Sequence, residues 1–215
     1  ASLDISRRNL ALRGEESFAK VMDMAEYARR EINEIGGYYA YGKELVNGTS
    51  VYDYDVTKLS VHTLGLGLAG IEVYDLLRDE YDIQIEFGDV SNILAYISIG
   101  DRLQDIERLV GALADIARIY KKDSTGMLSG EFISPIVARS PLEAFYSAKE
   151  SLPVEKTEGR ISGEFVMCYP PGIPILAPGE MITDEIIQYI LYVKEKGCSM
   201  QGTEDKSVNK LKVLV

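Results

Sequence analysis

KLSVHTLGLGLAGIEVYDLL, residues 58–77, runs from a short apolar segment through a glycine-rich turn into an amphipathic segment. Leu59 to Leu64 reads as a strand, because apolar and polar residues alternate with a period of two. Ala69 to Leu77 reads as a helix, with Ala69, Val73 and Leu77 four residues apart. The same alternation continues downstream. Ile83 to Phe87 predicts a strand, Asn92 to Ile99 a further and more buried one, and residues 101–120 a second amphipathic helix. That helix sets Leu103, Ile106, Leu109, Val110, Leu113, Ile116 and Ile119 on one side. Strands and helices alternating in this way mean helices packed on a sheet.

Upstream, the first forty residues read as one helix. Phe18, Val21, Met22, Met24, Ala25, Ala28, Ile32 and Ile35 recur near helical spacing, and Gly36-Gly37 ends the run. The charges between them, Arg29, Arg30, Glu31 and Glu34, most simply form a solvated face. Downstream, KKDSTGMLSG at 121–130 is polar and rich in glycine and serine, which marks a linker or long loop. Ser140-Pro141 opens a short helix, Thr183 caps a last one running to about Lys196, Gly197 stops it, and Leu211 to Val215 reads as a final strand. Between them lies GRISGEFVMCYPPGIPILAPGE, residues 159–180, with four prolines. A proline cannot donate to a sheet ladder, so Tyr169 to Pro174 is expected to be a rigid extended loop between short strands.

Composition excludes several classes. The 215 residues are 46% hydrophobic and 27% charged, the proportions of a folded globular chain. No run approaches the ~20 apolar residues of a membrane span. Lys and Arg number 23 against 34 Asp and Glu, a net charge of −11 that repels phosphate backbones, so nucleic acid is not an expected partner. Two cysteines, Cys168 and Cys198, give no disulfide framework. They read as reduced thiols in the cytoplasm, and no signal peptide is evident. Asn47-Gly48-Thr49 is formally a glycosylation sequon, but Asn-Gly favours a turn. The single histidine, His62, rules out zinc sites built on two histidines of one chain, and no metal site is expected.

Three features invite chemistry. Gly65-Leu66-Gly67-Leu68-Ala69-Gly70 is a literal G-x-G-x-x-G between strand and helix, with Glu86 about twenty residues on, the layout of a dinucleotide fingerprint. A long helical segment precedes it, however, where a nucleotide domain normally places the motif on its first strand. His62, inside an alternating strand, reads as a hydrogen-bonded structural residue, and Cys168 as a buried thiol. Glu86, flanked by Ile85 and Phe87, is either a surface strand residue or a carboxylate facing a cleft. Glu164 in SGEFVM shares that ambiguity.

Several segments together resemble one family. ASLDISRR at 1–8, TKLSVHTLG at 57–65, IQIEFGDVSNILAYISIGD at 83–101 and above all residues 159–180 look like the C-terminal part of the bacterial Orn/Lys/Arg decarboxylases. The likeness covers essentially the whole chain. It implies an α+β fold: residues 1–122 a small aminotransferase-type domain with helices on a small sheet, 123–140 a linker, and 141–215 a smaller α/β C-terminal subdomain bearing the Tyr-Pro-Pro-Gly-Ile-Pro loop. It also implies a pyridoxal 5'-phosphate enzyme acting on arginine, lysine or ornithine, at least a homodimer when intact. On this likeness Glu86 binds the cationic tail of the substrate, and Tyr169, Pro170, Pro171 and Gly172 stand at the active-site mouth.

The family's cofactor lysine directly follows a histidine, whereas His62 is followed by Thr63. The likeness therefore implies that the large cofactor-binding domain lies upstream of Ala1, that no catalytic residue is in this chain, and that it binds no cofactor alone. A stand-alone ligand- or nucleotide-binding or interaction domain is the alternative expectation.

Overall fold

The computed structural model describes residues 1–124 and 133–215, a mixed helix and sheet structure in two compact units, Ala1–Met127 and Leu128–Val215. The first unit contains α1 (Ser2–Ile35), β1 (Tyr39–Ala40), β2 (Lys58–His62), α2 (Gly70–Asp79), β3 (Phe87–Gly88), β4 (Asn92–Tyr96) and α3 (Leu103–Ile119). Its strands form one antiparallel sheet in the order β1-β2-β4-β3, with Leu59 opposite Ala95 and His62 opposite Asn92.

Helical spacing places Val21, Ala25, Ala28 and Ile32 on the inner face of α1, and Ile106, Leu109, Leu113 and Ile116 on that of α3. Both pack with Leu59, Val61, Ile93 and Ala95 from one sheet face. Each valine, leucine or isoleucine among them contributes about 1.5–3 kcal/mol when fully buried. Tyr38 enters this core by donating its hydroxyl to the Leu113 carbonyl at 3.1 Å, and burial pushes its ionisation upward.

Arg29 corrects the expectation of a solvated charged face. It is 6% exposed, donating from Nε to the Tyr41 carbonyl and from Nη2 to the Val56 carbonyl at 3.0 Å, while Nη1 pairs with Glu26 at 2.9 Å. The strandless stretch 41–57 leaves carbonyls that a sheet would satisfy, and the guanidinium takes that place. Phe18 and Met22, by contrast, lie exposed.

Two strands are shorter than the alternation suggested. Asp82 has a left-handed φ of 52° and Ile83 N returns to the Leu77 carbonyl at 2.8 Å, so 83–85 close the helix and only Phe87–Gly88 join the ladder. The next strand stops at Tyr96 because Asp101 accepts from Ser98 N at 2.6 Å, forming a turn. Nor is that strand buried on both faces: its pattern alternates, as in an antiparallel sheet covered on one side. Asn47 does form a turn, with Oδ1 accepting from the amides of Thr49, Ser50 and Val51.

The second unit contains α4 (Pro141–Tyr146), β5 (Lys149–Pro153), β6 (Val166–Tyr169), β7 (Ile173–Leu176), α5 (Asp184–Glu195), β8 (Ser199–Gln201) and β9 (Lys210–Leu214). β5 pairs with β9, and a three-stranded sheet runs β7-β6-β8. Val166, Leu176, Ile182, Ile186, Ile190, Leu211 and Val213 form its core. Ser140 caps α4 in a reciprocal box with Glu143, and Thr183 caps α5 by accepting from Ile186 N at 3.3 Å. Of the stretch 123–140, residues 125–132 lie outside the described residues. The amides of Ala138 and Arg139 both donate to the Gly179 carbonyl, joining that end of the stretch to the second unit.

Candidate functional site

The glycine motif is accounted for by packing. A Cβ on Gly65 would lie 2.6 Å from the Gly37 carbonyl oxygen, one on Gly67 2.5 Å from that of Lys122, and one on Gly70 2.0 Å from that of Asn92. Each glycine therefore admits another backbone, which no side chain would permit. The strands before and after the motif, β2 and β3, are not neighbours: β4 lies between them and pairs antiparallel with both, whereas a dinucleotide fold pairs adjacent parallel strands. The first turn of α2 is also occupied by an anion. Glu72 accepts from Ala69 N at 2.8 Å and pairs with Lys122 Nζ at 2.8 Å. A phosphate would meet that carboxylate, so the nucleotide reading finds no geometry here.

Glu86 lies on the approach to β3, the edge strand beyond β4. Its amide donates to the Leu94 carbonyl at 3.0 Å, which fixes the backbone from which the side chain departs. Ile85 before it is buried, while the Glu86 side chain is exposed and has no polar partner among the described residues. Both oxygens can therefore accept from a planar cation. Glu164 is the opposite case. Its Oε1 accepts from Lys212 N at 2.8 Å and its Oε2 from Glu204 N at 2.9 Å, a structural carboxylate that ties two backbone segments together.

The proline segment is a hairpin rather than an extended loop. β6 and β7 pair antiparallel, and Gly172, at φ 95°, donates its amide to the Cys168 carbonyl at 2.9 Å to close the turn. The Tyr169–Pro170 and Pro170–Pro171 peptides are cis. Pro174 sits within β7, which is tolerated because β7 is an edge strand and the ladder shifts register beside Val166 and Met167. The tip presents Tyr169 at 50% and Ile173 at 69% exposure, with Pro171 and Pro174 also exposed. Behind it, Gly179 approaches the Arg139 carbonyl and Glu180 accepts from Ala177 N at 2.8 Å. Glu86 belongs to the first unit and Tyr169, Pro170, Pro171 and Gly172 to the second.

Sequence reasoning missed a polar cluster around His62. Tyr41 donates its hydroxyl to Asn92 Oδ1 at 3.2 Å, His62 Nδ1 lies 3.3 Å from the same oxygen, and Asp89 accepts from Asn92 N at 2.6 Å. Burial raises the ionisation of the Tyr41 phenol, with the Asp89 carboxylate adding to the effect. Asp89 and Asn92 join the cluster through strand pairing, which gives no periodic signal. Cys168 and Cys198 are buried thiols with no disulfide between them.

The profile described as the Orn/Lys/Arg decarboxylase C-terminal domain matches residues 134–206. The full chain is 38% identical over 217 residues to the arginine decarboxylase of Bacillus subtilis strain 168. It is 39% identical over 220 residues to that of Halalkalibacterium halodurans. The chain belongs to the Orn/Lys/Arg decarboxylase family. Each of those Orn/Lys/Arg decarboxylase relatives aligns with all of this chain, which spans 44% of their length. A lysine decarboxylase of Francisella novicida has a similar fold, with a TM-score of 0.65 at 19% identity, covering 94% of this chain and 40% of that one.

The family resemblance implies pyridoxal phosphate, and the residues described do not fit it. Glu72 occupies the turn that could hold a phosphate. Lys122 pairs with Glu72, and Lys58 pairs with Asp55 at 3.4 Å while its Nζ stands 4.4 Å from the centre of the Tyr96 ring. Among the described residues there is no cluster suited to a metal ion, and no helix is long and apolar enough to cross a membrane.

Proposed function

We propose that this chain is the C-terminal part of an arginine decarboxylase that depends on pyridoxal phosphate. In this reading residues 1–122 form its small aminotransferase-type domain, and the cofactor and its lysine belong to a large domain outside this sequence. The observation that carries the reading is the identity of 38% and 39%, across the whole chain, to two proteins named arginine decarboxylase. A pyridoxal phosphate held by that other domain would supply the electron sink that decarboxylation of an amino acid requires. The residues of this chain bind and orient instead. Glu86 grips the guanidinium of arginine through paired N–H···O bonds, which a planar five-donor cation satisfies better than an ammonium. The Tyr169–Gly172 tip lines the entrance and excludes water from the reacting end. The intact enzyme is a homodimer or larger, in the cytoplasm, and the present chain has no decarboxylase activity alone.

The test is carbon dioxide release by the complete protein, supplied with pyridoxal phosphate, from arginine, lysine and ornithine in parallel. Arginine is expected to give the highest kcat/KM. Equal turnover of lysine would remove the guanidinium preference, and no turnover of any of the three would remove the decarboxylase reading.

The hairpin makes a separate expectation. Replacing Pro170 and Pro171 by alanine in the complete enzyme should lower kcat/KM by about tenfold while shifting Tm by only a few degrees, because Pro170 is half-buried, Pro171 exposed, and neither belongs to the core of the second unit. A large fall in Tm with unchanged specific activity would make the tip a structural corner.

A further inference from the structure

We propose that the sheet face turned away from the helices carries a binding site for an organic cation bearing N–H donors, with His62 Nε2 as the acceptor at its centre. The site does not include Glu86, and its argument is independent of the decarboxylase reading. It begins from the pairing of β2 with β4, which sets His62 opposite Asn92. Leu59, Val61, Ile93 and Ala95 are buried on the helical face, so His62, Asn92, Ser60 and Leu94 share the other, where all four are half-buried.

The protonation of the imidazole follows from its neighbours. Asp89 Oδ1 accepts from the amides of Ser91 and Asn92 at 2.7 and 2.6 Å, and the Asn92 Nδ2 group faces both carboxylate oxygens at 3.4 and 3.5 Å. A carboxylate accepts only, so the NH2 side of the Asn92 amide points to Asp89 and Oδ1 points away. That oxygen takes the Tyr41 hydroxyl at 3.2 Å and meets His62 Nδ1 at 3.3 Å. Nδ1 must then carry the hydrogen, and in the neutral ring Nε2 is left with a lone pair. Among the described residues Nε2 has no hydrogen-bond partner.

The surroundings select the ligand. The Tyr41 ring stands edge-on to His62 with centroids 6.5 Å apart, and Tyr39 packs against Tyr41 at 5.1 Å, giving an aromatic wall beside the acceptor. The Tyr41 oxygen retains accepting capacity after donating its proton, and Asp89 forms no ion pair among the described residues. Of the cations beside the site, Lys58 on β2 is engaged by Asp55 and Tyr96, and Arg29, which donates to the Tyr41 carbonyl, is paired with Glu26. Acceptors, π-systems and one uncompensated carboxylate together suit a guanidinium or alkylammonium group, and disfavour an anion.

A single histidine makes the test direct. At pH 8, where an imidazole is ordinarily neutral, the long-range nitrogen-15 spectrum of this chain should show a protonated Nδ1 and an unprotonated Nε2. Titration with methylguanidinium and, separately, n-butylammonium should shift Nε2 saturably. Tetramethylammonium, a cation without N–H donors, should not. His62→Phe, read through backbone amide shifts of the neighbouring strands, should weaken binding by about tenfold or more, the loss of one charge-assisted hydrogen bond. Asn92→Leu should restore tautomer averaging at His62 and weaken binding further from the wild-type value. A protonated Nε2 in the free chain, no saturable shift with either N–H cation, or an equal shift with tetramethylammonium would overturn the proposal. Preserved amide dispersion in each variant separates lost binding from lost folding.

Discussion

Glu86→Gln in the complete enzyme is expected to raise KM for arginine by between about 30-fold and several thousand-fold while leaving cofactor occupancy unchanged. The range follows from the ~2–5 kcal/mol lost when one partner of a desolvated charged pair is removed. The substitution keeps the shape of the side chain and its backbone anchor, since Glu86 N bonds to Leu94 O through the main chain. Removing the charge leaves the guanidinium facing a neutral amide whose NH2 side repels it. Steady-state kinetics with arginine, together with the cofactor absorbance of the same preparation, decide the matter. An unchanged kcat/KM would place Glu86 outside the substrate site. A fall in kcat alone, with cofactor retained, would assign it to the chemical step instead of the tail.

Arg29→Ala should produce the largest loss of stability of any single substitution of an ionic residue in the first unit. Truncation deprives the part-buried carbonyl of Tyr41 and the buried one of Val56 of their donor, and it removes the guanidinium that stands over the Tyr54 ring. An unsatisfied buried carbonyl costs about 1–3 kcal/mol, so two give ~2–6 kcal/mol. For a unit of this size that is a fall in Tm of roughly 10 °C or more. Lysine at the same position reaches one carbonyl but not both, and should recover only part of the loss. Thermal unfolding followed by circular dichroism checks this. A shift below about 2 °C for the alanine variant would mean that water replaces the guanidinium without cost.

Elements governed by periodicity and caps were legible. The stripe Val21-Ala25-Ala28-Ile32, the Ser140-Pro141 start and the Thr183 cap each state their geometry locally. What escaped was set by partners distant in sequence. β5 reads Lys-Glu-Ser-Leu-Pro, with no apolar alternation, and is a strand because β9 pairs with it. Pro174 argued for a loop until its edge position was visible. Arg29 resembled its solvated neighbours Arg30 and Glu31, since nothing in a helical pattern announces two unpaired carbonyls across the chain. For the site, the sequence marked Glu86 as ambiguous between surface and cleft. Its exposure and lack of a partner in the first unit leave the carboxylate available, while the role itself still comes from the family resemblance. The Asp89-Asn92-His62 chain was invisible, because it needs the β2–β4 register.

The three glycines of residues 65–70 also constrain how such a sequence can drift. At Gly65, Gly67 and Gly70 even a methyl group would collide with a main-chain oxygen. The mutational alphabet there shrinks to one letter, whatever ligand the protein binds. Leu66, Leu68 and Ala69 between them are buried and so are held to small sets of apolar residues. A hexapeptide can thus keep the spelling of a phosphate loop indefinitely under selection for folding alone. Its persistence in a lineage would record how closely two stretches of backbone approach, and would carry no memory of a nucleotide.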